Sequence, residues 1–450
     1  MKKELEHFTL YPSVVKADEV SRISIVGDGG YYSFFDDVEY SIKVCPAEIH
    51  DIPIDEDFTL GGYDFKVIKC YPENGVITFE YKFISEQKWN IHIFASPDQK
   101  EHLSKLRHQY SQYWDLTEME RGKVFEIYSL FEDLYNRRVF VGDMHVHTNH
   151  SDGKDTPETV VSNLRRAGFD YCAITDHHIY TSSLIAKEKC EELDTNFTVF
   201  PGEEVHNKIA GRFHIVNFGG RESVNEKILA APEDFKNRVN ELAKYIDDLS
   251  QRDAQEVSWY KVICDEIRKT GGMSIFAHPF WTARNTYNCP VNITEEVFKR
   301  GFFDAYEVLG GCTPFENNLE MVMYYQMKQQ GINIPVVAST DIHDTFAWWN
   351  GRARTVVFSE DTESIAKSIM DGYSSAVEII EKVQPKVYGD FRMVKYTIFL
   401  LENYFPKHDR LCAASGTMML EYFKGDSEMA TAVSICEKKI TELEQTFFGK

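Results

Sequence analysis

What this 450-residue chain lacks narrows it first. No stretch approaches the roughly 18 uninterrupted apolar residues that a membrane-spanning helix needs, so no membrane partner is expected. The opening MKKELEHFTLYPSV carries two lysines but sets Glu4, Glu6 and His7 where a signal peptide would have its apolar core, which speaks against secretion by that route. No CxxC pair occurs, and the nine cysteines are odd in number and scattered from Cys45 to Cys436. That usage predicts reduced thiols and a cytoplasmic location. Positive charge is also scarce: Lys plus Arg is 49 against 71 Asp plus Glu, a net −22. Such a surface repels long polyanions, so extended duplex nucleic acid is not an expected partner, whereas a small anion drawn in by bound metal is compatible with it. The GDGG at Gly27 to Gly30 has no GK[ST] after it and strand-like flanks, which makes it a turn rather than a phosphate loop. No GxSxG appears, so a covalent serine mechanism is disfavoured.

What is present is ordinary for a globular protein, with 43% hydrophobic and 27% charged residues. The length predicts two or three domains with at least one large core. Residues 1–138 show short alternating runs, SRISIV, EYSIKV, FKVIKCY, VITFEYKF and NIHIFASP, between turns such as PENG. These predict an all-β, sandwich-like domain, with a mixed helical linker from roughly Asp98 to Asn136. From Val139 to about residue 380, apolar strands (YCAIT, MSIFAH, AYEVL, IPVVAST) alternate with amphipathic helices that close on glycine. This α/β succession predicts a parallel barrel or a doubly wound sheet. Residues 221–256 carry no strand signal and are expected as a helical insertion, and residues 381–450 as a largely helical C-terminal region.

Chemistry concentrates in the middle segment. Nine of the 15 histidines fall between His145 and His343, mostly at or just past the carboxyl end of a predicted strand, where β/α folds build sites. Side chains two apart on a strand share a face, so Asp143, His145 and His147 point one way, as do Arg212 with His214 and Asp341 with His343. The segments DMHVHTNHSDG, AITDHH, PGEEVH, GRFHIV, FAHPF and STDIHD each deliver His, Asp or Glu. Imidazole and carboxylate without thiolate suit Zn, Mn or Fe. With about nine candidate ligands, where a structural zinc takes four, a multinuclear catalytic site is predicted.

The order HxH, SDG, TDH, GxE, His, AHP and DxH resembles the polymerase and histidinol phosphatase (PHP) superfamily over roughly residues 139–380, and not over the flanks. The resemblance implies a distorted seven-stranded (β/α)7 barrel and two to three divalent ions. It implies a first ion on His145, His147, the Gly-x-Glu carboxylate and Asp341, and a second on that same carboxylate with His214 and His278. The third would sit on Asp152, His177 and His343. The Gly-x-Glu position is assigned to Glu204, with Glu203 beside it on the opposite face. Three divalent ions carry about +6 against the three carboxylates Asp152, Glu204 and Asp341, a pocket suited to an anionic substrate. The expected activity is therefore hydrolysis of a phosphate ester by metal-bound hydroxide, with Glu204, Asp341 and His343 linking the ion subsites. The substrate would be a small phosphorylated molecule: a nucleotide, a sugar phosphate, a histidinol-phosphate-like compound or a short oligonucleotide. Nothing in the residue pattern bears on oligomeric state.

Several neighbours are weighed against simpler roles. Asp143 and Asp176 are expected to orient ligand imidazoles. His150 competes with Asp152 for the third ion, and His178 and His206 are surplus. Arg212 is the favoured phosphate contact, with Lys154, Arg284, Arg352 and Arg354 as weaker candidates. Phe280, Trp281, Trp348 and Trp349 could wall a base or sugar or simply pack. Two other activities stay open: hydrolysis of an amide or lactone in a similar metal site, and a glycan- or protein-binding role with the PHP unit as scaffold.

Overall fold

In the computed structural model, residues 7–27, 33–48, 66–95, 123–209, 211–347, 351–380 and 384–450 are described. They form two compact units, one of Met1–Asn136 with Thr441–Lys450 and one of Arg137–Ile440. All nine cysteines are free, and among the described residues no helix is long and apolar enough to cross a membrane.

The first unit is built from strands. Phe8–Tyr11, Val20–Gly27 and Ile77–Lys82 form an antiparallel three-stranded sheet. A five-stranded sheet runs in the order Val14–Lys16, Lys123–Leu130, Gln87–Ala95, Tyr40–Pro46, Val67–Cys70. Alternation makes one face of each sheet apolar, and Ile23, Ile25 and Phe79 from the first join Tyr40, Ile42, Trp89, Ile91 and Ile127 from the second in one core. The expected helical linker is corrected in part. Lys123–Leu130 is a strand, because KVFEIYSL is rich in β-branched and aromatic residues and pairs Ile127 with Trp89 and Phe125 with Ile91. Only Glu132–Tyr135 is helical there, and 96–122 lies outside the described residues, as does most of the GDGG turn.

The second unit holds two sheets. In the first, Thr198–Phe200, Tyr171–Ala173 and Arg138–Asp143 are parallel, while Ala353–Ser359, Ser374–Glu378 and Lys386–Gly389 continue antiparallel. In the second, Gly202–Asn207, Gly211–Phe218 and Met273–Phe276 are antiparallel, and Ala305–Leu309 and Val336–Ala338 follow in parallel. The wholly parallel succession expected from the sequence is thus broken twice. Only the hairpin Gly202–Phe218 has a connection too short for a crossover helix, which an antiparallel pair tolerates; Gly211–Phe218 with Met273–Phe276 and Ala353–Ser359 with Ser374–Glu378 are antiparallel although helices lie between them. Both sheets feed one interior of Phe140, Tyr171, Val216, Phe218, Ile275, Val337 and Val357. Where the ladder fails between Val336–Ala338 and Ala353–Ser359, the Thr355 hydroxyl bridges the gap, accepting from the Ala338 N–H and donating to its carbonyl, each at 2.8 Å. Residues 221–256 are helical, with Val224–Ala230, Pro232–Ala243 and the start of Gln251–Lys269.

Beyond the strand Lys386–Gly389 the chain is helical: Phe391–Asn403, Phe405–Phe423 and Met429–Phe448. Phe405–Phe423 lies hard against Pro157–Arg166. A Cβ on Gly416 would sit 2.3 Å from the Arg166 nitrogen, so only glycine permits the approach. The contact is locked by charge. Fully buried Arg165 donates to both carboxylate oxygens of Glu437 (3.1 and 2.7 Å) and to Asp170 (2.9 Å). Asp170 also accepts from the Val141 N–H at 3.0 Å and lies 2.9 Å from His408 Nε2. The network therefore grips the strand that leads into HxH. Burial works against charge on Asp170, but His408 and Arg165 outweigh it and hold the carboxyl at about 2.

Two outcomes follow for folding. Glu437→Ala strands a buried guanidinium, and urea denaturation should show a loss of about 3–5 kcal/mol, whereas a loss under 1 kcal/mol would contradict the clamp. Because the folded pKa of Asp170 is depressed, its contribution is present above the unfolded value and disappears as pH falls through the folded one. The stability gap between wild type and Asp170→Asn should accordingly shrink as pH drops from about 4 toward 2; a gap that stays constant over that range would refute the assignment.

Candidate metal centre

The strand ends of the second unit converge at one pole. After Asp143 the chain leaves the sheet carrying His145 and His147, both buried. His177 follows Tyr171–Ala173, Glu204 lies in Gly202–Asn207, and His214 faces it from Gly211–Phe218. His278 follows Met273–Phe276, and Asp341 and His343 follow Val336–Ala338. Single parallel bridges, Val146 with Ile342 and His177 with Glu204, stitch these ends together. Asp341 and His278 sit at φ 48 and 25, a strained region for residues with side chains that is retained where surroundings enforce it.

The two glutamates of GEEV separate cleanly. Glu203 accepts from Ser223 Oγ (2.7 Å), the Val224 N–H (2.5 Å) and Asn225 Nδ2 (3.1 Å), so it serves the start of the helix Val224–Ala230. Glu204 turns inward, fully buried. Its Oε2 lies 3.2 Å from His145 Nε2, 3.4 Å from His147 Nε2 and 3.0 Å from His177 Nδ1, and its Oε1 lies 2.5 Å from His214 Nδ1 and 3.7 Å from His278 Nε2. Asp341 Oδ1 stands 3.4 Å from His145 Nε2 and 3.0 Å from His147 Nε2. At the exposed rim, Asp152 approaches His343 Nε2 at 3.3 Å, His147 Nδ1 at 3.7 Å and His177 Nε2 at 3.8 Å. His150 is exposed.

His214 Nδ1 hydrogen-bonds Glu204 Oε1, but several of the other groups face one another without bonding. His145 Nε2, both His147 nitrogens, His177 Nδ1, His278 Nδ1 and Glu204 Oε2 are buried atoms with no hydrogen-bond partner. Orphaned polar atoms on this scale are costly, and a cation removes the cost. The spacing fits one, since a tetrahedral ion with bonds of about 2.0–2.1 Å sets its ligand atoms about 3.3–3.4 Å apart. Electrostatics agree. Burial opposes charge on His145, yet Asp341, Glu204 and Glu307 hold it well above the usual imidazole range. His278 is likewise held at about 9 against its burial by Glu204, Asp341 and Glu307. The cluster draws positive charge inward.

Other expectations need correction. Asp143 and Asp176 orient backbone, not imidazole rings. Asp143 accepts from the N–H groups of His145 (3.2 Å) and Thr340 (3.1 Å), pinning HxH to the Asp341 segment. Asp176 accepts from the Thr148 N–H (2.7 Å) and Ser151 Oγ (2.6 Å), pinning TDH to SDG. The residue that does orient a ring is Glu307, missed in the sequence: its Oε2 lies 3.1 Å from His145 Nδ1, leaving Nε2 to face the cluster. A lone carboxylate in the fully buried AYEVL strand was the available signal.

The weaker cationic candidates are mostly committed. Lys154 pairs with Asp344, Arg352 with Glu378 and Arg354 with Asp409, while Arg284 is exposed on a hairpin. The Arg212 side chain, Trp348 and Trp349 lie outside the described residues. Phe280 is core, whereas Trp281 is 37% exposed and sits 5.9 Å from the His214 and His278 rings, a wall for whatever enters. A pocket of about 300 Å³ opens among Gly310, Cys312, Thr340, Arg352 and Glu378. Its Thr340 wall adjoins Asp341.

The PHP domain family model matches residues 143–257. No curated protein matches the chain. Among solved structures, a two-domain protein from Bacteroides vulgatus, described as containing a predicted PHP-like metal-dependent phosphoesterase, is 16% identical with a TM-score of 0.37. The match covers 54% of this chain and 65% of that one, just under two thirds of its length. An amidohydrolase from Chromobacterium violaceum, with bound sulfate and no metal, is also 16% identical, covering 45% of this chain and 87% of its own at a TM-score of 0.32. The family match takes in His145, His147, Asp152, His177, Glu204 and His214, while His278, Asp341 and His343 lie beyond it, and on that match the chain carries a PHP domain.

Proposed function

We propose that this chain is a metal-dependent phosphoesterase acting on a small phosphorylated substrate. The observation that carries the reading is the set of buried, unpartnered imidazole and carboxylate atoms around Glu204, spaced for a bound cation. His145, His147, Glu204 and Asp341 would hold one ion, Glu204 with His214 and His278 a second, and Asp152, His177 and His343 a third, within the expected (β/α)7 barrel. Divalent ions held there would acidify water and neutralise the charge of a phosphate ester.

The chain's own residues supply the rest. Glu307 fixes the His145 ring through Nδ1, and the Asp341 carbonyl fixes His343 through Nδ1 at 2.8 Å. Each leaves Nε2 as the free ligand atom. Asp143 and Asp176 keep three ligand-bearing loops in register. Trp281 and the Thr340 pocket give the non-phosphate part of the substrate apolar and polar walls. With only Asp152, Glu204 and Asp341 as anionic ligands, the loaded centre keeps excess positive charge, which favours an anionic ester over a neutral amide.

Phosphate release from mononucleotides, nucleoside bisphosphates, sugar phosphates and short oligonucleotides, with Mn or Zn and with chelator, tests the reading. Chelator-sensitive turnover of at least one member is expected, and His145→Ala and Asp341→Ala should each lower it beyond the roughly 10–100-fold that loss of an outer partner costs. No release from metal-loaded protein would discard the phosphoesterase. For Glu307→Gln, calorimetric titration should show zinc binding weakened by about 10–100-fold with an unchanged unfolding midpoint; undiminished affinity would remove Glu307 from the centre.

A further inference from the structure

The nine residues assigned to ions leave His150, His178 and His206 unassigned, and of these only His206 packs against two ligand rings. The hairpin pairs Val205 with Ile215 and Glu204 with Val216, then slips register before Asn207 meets Gly211. Alternation along Gly202–Asn207 puts His206 on the same face as Glu204, across from His214. The His206 ring stands 4.5 Å from that of His214 and 5.2 Å from that of His177. Its Nδ1 is buried with no hydrogen-bond partner, and one nitrogen from each of His177, His206 and His214 lies within 4.8 Å of the others.

We infer that His206, with His177 and His214, forms an additional all-imidazole metal site at the rim of the centre. The inference rests on the metal-site reading above. Three imidazoles without a carboxylate select zinc, cobalt, nickel or copper over magnesium or manganese, and three protein ligands leave a fourth position open. His177 and His214 are shared with the inner ions. An ion at the rim therefore competes for two ligands of the productive set, so zinc beyond the inner complement suppresses turnover while manganese does not.

The direct test is calorimetric zinc titration of the chelator-stripped full chain, wild type against His206→Ala, alongside Co(II) spectra of a His206→Cys variant. Wild type should show a zinc-binding phase that His206→Ala lacks. Cobalt-loaded His206→Cys should gain a near-ultraviolet thiolate charge-transfer band that cobalt-loaded wild type lacks. The Cys variant covers the case in which His206→Ala fails to fold. Identical zinc isotherms for wild type and His206→Ala, or no new band in a folded His206→Cys, overturn the rim site while leaving the inner centre standing. If wild type binds no zinc at all, both readings fall together.

Discussion

The histidine-rich pole of the second unit is arranged around one buried carboxylate. Glu204 has no solvent to stabilise its charge, and five imidazoles, from His145, His147, His177, His214 and His278, stand within 3.7 Å of it. They come from four segments of the chain and reach the same few ångströms only if both sheets hold their relative position. Buried charges need such compensation, so the electrostatic demand of this one group constrains the backbone of half the unit. The Thr355 bridge closing one gap between the sheets and the Glu204 N–H bond to the Thr175 carbonyl at 3.0 Å near the other are the local forms that constraint takes.

A second charge network supports the first from behind. Asp170 accepts from the Val141 N–H and donates its own N–H to the Val141 carbonyl at 2.7 Å, so the strand entering HxH is fixed at its middle. Arg165, His408 and Glu437 extend that hold into the C-terminal helices. These helices supply none of the candidate ligands. Their part is to keep the first strand of the unit from shifting, and a shift of about 1 Å at a preorganised site is costly.

Much of the site was legible because the relevant physics is local. Strand-end position places the group in a common pole, although His145 with His147 and Asp341 with His343 lie just past their strands rather than within them. Alternation also separates Glu203 from Glu204, but which one faces inward depends on the helix Val224–Ala230, whose start Glu203 serves, and that packing is not written in GEEV. Glu307 escaped because a single carboxylate in an apolar strand has no spacing to announce it. Asp143 and Asp176 were read as ring partners, whereas their short side chains reach backbone N–H groups across loops that only the fold brings close. The same holds for the sheets: strand segments are visible in composition, but the antiparallel pairing of Arg138–Asp143 with Ala353–Ser359 joins segments far apart in the chain.

On this physical picture the orphaned atoms around Glu204 and Asp341 would hold metal. Anomalous X-ray scattering at the zinc edge from zinc-soaked crystals tests it most directly. The predicted result is a strong peak bounded by His145 Nε2, His147 Nε2, Glu204 Oε2 and Asp341 Oδ1, at about 2.0–2.2 Å from each. Zinc found only on surface residues, with those four atoms closed on one another, would contradict it.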